Sequence, residues 1–145
     1  MYQGEKMSAA HAQIGDWLGV QPAATEADLL SIVENRLAPG VINRLLALGF
    51  NRSEINEVVI PSRTLQHRRS RREKLSIEES DRVLRITRAL SAAEATYGSR
   101  ERALGWLRRP IPRLGNRTPL SLLTTGSGTR IVEEALIQID EGMFI

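Results

Sequence analysis

Residues 51–72 read NRSEINEVVIPSRTLQHRRSRR, and the punctuation of this stretch decides the fold. Asn51 followed three residues later by Glu54 is a helix-capping signature: the amide oxygen takes a free N–H of the first turn, and the carboxylate reaches back to the cap. The helix so opened carries Ile55, Val58 and Val59 at helical spacing. Ile60-Pro61-Ser62 breaks it, because proline drives the preceding residue out of the helical region and is itself welcome at a helix start. A second short helix then runs through Arg63, Thr64, Leu65, Gln66, His67 and Arg68. Two short helices joined by a tight turn, the second opening on small polar residues and continuing into arginines, have the form of a helix-turn-helix. Ile55, Val58, Ile60 and Leu65 are expected to hold the pair together.

On that reading Ser62, Arg63, Gln66, His67 and Arg69 face the major groove of DNA, where the forked donors and acceptors of arginine and glutamine suit guanine and adenine edges. Thr64, Arg68, Arg71, Arg72 and Lys74 are expected to engage phosphate. The charge distribution agrees. Residues 63–74 hold Arg63, Arg68, Arg69, Arg71, Arg72 and Lys74 against Glu73 alone, on a chain whose formal net charge is only +3. A dense cationic patch on a nearly neutral protein suits a polyanion, because neutralising phosphates releases condensed counterions. A solvated or protein-binding helix face is the alternative for this segment. Helix-turn-helix proteins commonly pair to span two half-sites about one DNA turn apart, so a homodimer on operator DNA is expected.

Upstream, Thr25 and Asp28 repeat the capping signature ahead of Leu29, Leu30, Ile32 and Val33, opening a helix expected to stop at Pro39-Gly40. Val41 to Leu48 reads as a short helix closed by Gly49. Residues 1–24 show weak periodicity and read as a loosely held N-terminal arm that Trp17 and Leu18 could dock. Downstream, Ser76 and Glu79 head the longest helix, with Ile77, Val83, Leu84, Ile86, Leu90, Ala93 and Tyr97 on its apolar face. Ser99 opens another through Ala103, Leu104, Trp106 and Leu107, broken at Pro110 and Pro112. Thr118-Pro119 opens a turn containing Leu120, Leu122 and Leu123. After Gly126-Ser127-Gly128, read as flexible, a last helix is expected from about Thr129 to Glu141 with Ile131, Val132, Ala135, Leu136 and Ile139 inward. No segment alternates with the period of a strand. The chain therefore reads as all-α, a helix-turn-helix bundle followed by a small helical domain, in four segments: an N-terminal arm and helix (1–40), the helix-turn-helix region (41–75), a connecting helix (76–98) and a C-terminal module (99–145).

Composition narrows the chemistry. With 145 residues, 41% hydrophobic and 26% charged, the chain can form one domain or two small ones. It has no cysteine, which excludes disulfides, thiol nucleophiles and thiolate metal sites. His11 and His67 are its two histidines and do not have the spacing of a helical metal pair. Glu78 and Glu79 are adjacent, as are Glu133 and Glu134, so each pair diverges on a helix and makes no acid/base couple. Gly126-Ser127-Gly128 lacks the strand-to-helix context of a phosphate loop or a nucleophile elbow. Neither catalysis nor a cofactor is expected. No stretch approaches the roughly 18 apolar residues of a spanning helix, and the N-terminus lacks the basic region and apolar run of a signal peptide, so a cytoplasmic protein without membrane contact is expected.

The order of marks in the C-terminal module is more specific than its composition. Ala103-Leu104-Gly105-Trp106-Leu107, then Pro110 to Leu114-Gly115, then Thr118-Pro119-Leu120, then Leu122-Leu123, then Gly128 and a helix ending near Gly142, resembles the toxin-binding domain of the MbcA/ParS/Xre antitoxin family. With the preceding helix-turn-helix the resemblance covers roughly residues 45–145. It implies a type II toxin–antitoxin role: a RES-domain toxin that depletes NAD as partner, neutralisation by a toxin-binding domain at 99–145, and autorepression of the operon through the helix-turn-helix. It also implies that Asp140, Glu141, Gly142, Met143, Phe144 and Ile145 enter or cover the toxin's NAD pocket. The physics is compatible with this. Gly142 to Ile145 can extend about 13–14 Å, and burial of Met143, Phe144 and Ile145 contributes roughly 1.5–3 kcal/mol each. The carboxylates of Asp140, Glu141 and Ile145 suit a basic pocket that normally takes pyrophosphate. Two alternatives remain: Met143 and Phe144 folding back on their own core, and, for the whole chain, a stand-alone helix-turn-helix transcription regulator whose C-terminal half dimerises or senses a ligand. A second basic stretch, 99–117, stays open between toxin, DNA and neither.

Overall fold

The computed structural model describes the backbone of residues 2–142 and the side chains of residues 9–142, and these residues are mostly helical. The chain divides into two compact units, residues 1–87 and 88–145, with the boundary inside the longest helix. The first unit holds α1 (Tyr2–Leu18), α2 (Glu26–Glu34), α3 (Val41–Leu48), α4 (Arg52–Val58), α5 (Ser62–Ser70) and the first half of α6 (Ile77–Tyr97). Its core is built from Leu29, Ile42, Leu45, Val58, Val59, Ile60, Leu75, Val83 and Ile86, all nearly sealed from solvent.

The three capping signatures form as written. Thr25 and Asp28, Asn51 and Glu54, and Ser76 and Glu79 each exchange side-chain and backbone hydrogen bonds of 2.7–3.2 Å. The amides of Ala24 and Thr25 both donate to Asp28 and hold its carboxyl below the usual value. Gly49 closes α3 at a left-handed φ of 113°. α2 ends at Glu34, five residues before Pro39. Arg36 turns the chain at φ 61° and donates to the carbonyls of Leu75 (2.7 Å) and Lys74 (3.0 Å). Beside it Leu75 donates its amide to the Leu37 carbonyl, and the Leu37 amide donates to Ser80 Oγ. The helix ends at the left-handed Arg36, ahead of the proline, and hydrogen bonds with residues 74–80 meet the chain there.

Residues 1–24 are not a loose arm. Residues 2–24 form α1 and a turn, and α1 packs on α2 and α3. Ile14 and Leu18, one helical turn apart, are each 3% exposed, and Ala23 is 2% exposed. His11 adds a polar tie: its Nδ1 lies 3.1 Å from the Ala24 carbonyl and its Nε2 2.9 Å from the Glu26 carboxylate. Among the described residues of α1, two buried aliphatic side chains and one histidine are too few to register as periodicity, yet they hold the helix once a partner surface exists.

The second unit contains the rest of α6, α7 (Arg100–Leu107), short 3-10 turns at Pro112–Leu114 and Leu120–Thr124, and α8 (Gly126–Asp140). Leu90, Ala93, Ala103, Trp106, Leu107, Leu123, Val132 and Leu136 fill its interior. An isolated antiparallel bridge, Ile111 to Arg117, closes the proline loop and is the one strand-like pairing among the described residues. α8 begins three residues earlier than Thr129, capped by Thr125 Oγ, which accepts from the Gly128 amide at 3.0 Å. Gly128 is a packing position rather than a hinge: a Cβ there would overlap the Leu122 carbonyl. Ile77 and Ile131, expected inward, are 53% and 44% exposed. At 3.6 residues per turn they lie roughly 120° and 100° round their helices from Val83 and Val132, just outside the buried stripes. Among the described residues no helix is long and apolar enough to cross a membrane.

Candidate functional site

α4 and α5 meet as the sequence predicts, with Ile55, Val58, Ile60 and Leu65 at 3%, 2%, 1% and 8% exposure. The start of α5 is fixed across the turn. Pro61 offers no side-chain cap, and Asn56 Oδ1, from α4, accepts the Ser62 amide at 2.7 Å. With Leu65 inward, Ser62, Arg63, Gln66, His67, Arg69 and Ser70 are exposed and Thr64 is half-buried. The structure thus brings Ser62, Arg63, Gln66, His67 and Arg69 to the accessible side of α5. Arg71 and Arg72 follow in an exposed turn, Arg72 at φ 55°.

Arg68 is placed differently from the other expected phosphate contacts. Its Nε and one terminal nitrogen donate to the two Glu79 oxygens at 3.1 and 3.2 Å, and the other terminal nitrogen donates to Glu73 at 3.2 Å. Glu79 is 7% exposed. Burial pushes its carboxyl upward, but Arg68 and the Ser76 amide outweigh burial and hold it below the ordinary value; Glu79 in turn raises Arg68. The same carboxylate therefore caps α6 and anchors the last turn of α5. Lys74 is committed too, donating to the Asn35 carbonyl at 3.0 Å. Within a run of arginines composition cannot show which one faces inward. The signal available was Glu79, whose cap geometry leaves it carboxylate oxygen to share.

Between α4 and α5 lies a cleft of about 290 Å³. Ile42, Ile55, Ile60 and Leu65 line it with apolar surface, and Arg52, Asn56, Ser62, Gln66 and Arg69 contribute polar groups. Arg52 and Asn56 were not among the residues singled out from sequence. Arg52 stands outside the basic run, and only its four-residue spacing from Asn56 on α4 hints at a shared face.

In the second unit, Tyr97 and Trp106 pack with ring centroids 6.1 Å apart. Burial raises the Tyr97 phenol, while the charge of Arg109 lowers it and that of Asp140 raises it, so both charges act at this aromatic pair. Asp140, Glu141 and Gly142 are exposed where α8 ends, with Gly142 at φ 85°. Met143, Phe144 and Ile145 lie outside the described residues. In the second basic stretch Arg100 pairs with Glu94 at 3.1 Å, while Arg102, Arg109 and Arg117 are exposed. Among the described residues no group of three His, Asp or Glu side chains is placed to hold a metal ion.

The first unit carries a helix-turn-helix and the second is a small helical unit, and comparison with known proteins matches each part. Residues 28–88 match the antitoxin Xre-like helix-turn-helix domain, and residues 92–142 match the antitoxin Xre/MbcA/ParS C-terminal toxin-binding domain. The chain belongs to the Xre/MbcA/ParS antitoxin family. It is 33% identical over 131 residues to an Antitoxin Xre of Pseudomonas putida, spanning 90% of this chain and 82% of that protein. An Antitoxin Xre of Yersinia enterocolitica is 37% identical over 86 residues, covering 59% of this chain and 58% of that protein. A protein of Sphingobium sp. named Prs ADP-ribosylating antitoxin is 26% identical over 132 residues, 83% of each chain.

Proposed function

We propose that this antitoxin neutralises a RES-domain, NAD-depleting toxin by covering its active site with the region from Asp140 to Ile145, and that it represses its own operon by binding operator DNA as a homodimer through α5. Both activities belong in the cytoplasm. The observation that carries the toxin half is the exposed end of α8, where Asp140 and Glu141 stand in solvent on the unit that matches the toxin-binding family. Two carboxylates there suit a pocket built for the pyrophosphate of NAD. The operator half rests on the accessible side of α5 and the turn after it, where Arg63 and Gln66 have the forked groups for base edges and Arg69, Arg71 and Arg72 supply charge for phosphates.

Co-expression with the neighbouring toxin reading frame tests the first half, with growth and cellular NAD as readouts for the full chain and for one truncated after Glu141. Rescue by the full chain, lost on truncation while the shortened protein still melts cooperatively, supports the plug. Failure of both chains to bind or protect overturns it in favour of a stand-alone regulator. The name of the Sphingobium relative favours a second reading, a partner that transfers ADP-ribose. Such an enzyme also draws on NAD but leaves ADP-ribose on an acceptor, so blotting for ADP-ribose in toxin-expressing cells separates the two. Footprinting on the DNA upstream of the operon tests the second half; two protected half-sites about one turn apart are expected of a dimer.

A further inference from the structure

We propose that the cleft between α4 and α5 is the seat of a single DNA backbone phosphate, gripped by Arg52 and Arg69, with Asn56 tying that grip to the first turn of α5. The inference rests on the reading of α5 as the DNA-binding helix. The polar groups lining the cleft come from Arg52, Asn56, Ser62, Gln66 and Arg69, and among the described residues that line it none carries a carboxylate. Every one of these side chains offers a donor, and two are cations. Both arginines are exposed, and in contrast to Arg68 no ion pair among the described residues holds either guanidinium. Cations beside low-dielectric walls focus positive potential, here above Ile42, Ile55, Ile60 and Leu65. At roughly 30 Å³ per water, a cleft of about 290 Å³ has room for a phosphate group together with bridging waters.

The geometry also says what the seat does. Ser62, Gln66 and Arg69 follow one another at i, i+4 and i+7 and so share one side of α5, while Arg52 and Asn56 share one side of α4. Asn56 Oδ1 is occupied by the Ser62 amide, which leaves its own N–H groups as donors in the cleft it lines. A phosphate seated there touches the residue that holds the first amide of α5, so the grip fixes the register at which Arg63 and Gln66 meet base edges.

Asn56→Asp is the sharpest test. It keeps the acceptor for the Ser62 amide, and so the start of α5, but places a carboxylate in the cleft. Ser53→Asp adds the same charge at an exposed position of α4 that does not line the cleft. Affinity of the full chain for a random-sequence duplex, measured by fluorescence anisotropy across a salt series, gives the readout without knowledge of the operator. N56D is expected to weaken binding about tenfold more than S53D, with an unchanged melting temperature. The double variant R52Q/R69Q is expected to reduce the slope of log affinity against log salt by about 0.9, the loss of one phosphate. Equal effects of N56D and S53D, or an unchanged slope in R52Q/R69Q, overturn the seat while leaving DNA binding by α5 standing. No binding of duplex by the unaltered chain at low salt overturns the underlying reading and the seat together. A rise in melting temperature with inorganic phosphate equal to that with duplex overturns the assignment to the DNA backbone.

Discussion

Replacing Arg68 by alanine removes hydrogen bonds to Glu79 at 3.1 and 3.2 Å and to Glu73 at 3.2 Å, and leaves Glu79, 7% exposed, without its cation. Orphaning one member of a fully buried pair costs about 3–5 kcal/mol. The Arg68 side chain is 23% exposed and that of Glu73 38%, so water compensates in part. With charge-assisted bonds worth roughly 1.5–3 kcal/mol, a loss of about 2–3 kcal/mol is expected. In a unit the size of residues 1–87 each kcal/mol moves the midpoint by about 4–8 °C, so R68A should melt roughly 10–20 °C lower. Glu79→Gln retains an acceptor for Ser76 and should cost less, and R68A/E79Q should cost less than the sum of the two, because the removed groups share one interaction. The pH dependence follows from the sign of the shift. Glu79 is held below its ordinary value of 4.5 in the folded state, so its contribution is full above that value and is lost as pH falls through the lower folded value. R68A should flatten this acid limb in melts recorded against pH, and it should leave the salt slope for duplex DNA unchanged. A melting temperature within a degree or two of the unaltered chain, with a slope reduced by about one phosphate, would refute the reasoning and make Arg68 a DNA contact.

Three further outcomes follow from other parts of the structure. Gly128→Ala forces a methyl group into the Leu122 carbonyl, a backbone atom that cannot turn away; about 3 kcal/mol should be lost in urea unfolding. Arg63→Ala and Gln66→Ala act at exposed positions and should leave stability within about 0.5 kcal/mol, while each weakens operator binding by about 1–3 kcal/mol in titrations. His11→Ala removes the tie from α1 to Ala24 and Glu26, and hydrogen exchange should show the amides of α1 opening faster while those of α3 keep their protection.

The capping pairs, the inward residues of α4 and α5, and the accessible side of α5 were legible because each depends on neighbours within one or two turns. Asn51 and Glu54 meet wherever the helix lies, since the backbone fixes their separation. The resemblance of residues 103–142 was legible for a related reason: glycines and prolines at fixed intervals record backbone conformations directly. The pairing of Arg68, expected as a phosphate contact, is not legible because its partner Glu79 lies eleven residues away across a turn. Ile77 and Ile131 were drawn inward because spacing alone does not set how wide a buried stripe is; the neighbouring element does.

By itself the sequence determined an all-helical chain, a helix-turn-helix region at 41–75, and a second helical module whose glycine and proline order carries the antitoxin resemblance. Tertiary structure alone decided that residues 2–18 form a packed helix, that Arg36 and not Pro39 ends α2, that Asn56 holds the start of α5, and that Arg52 and Arg69 line one cleft. The division has a physical cause. Caps and stripes act over a single turn, where covalent geometry dictates who meets whom, whereas these other contacts form only after separate helices have packed, and no local spacing encodes which of their faces will touch.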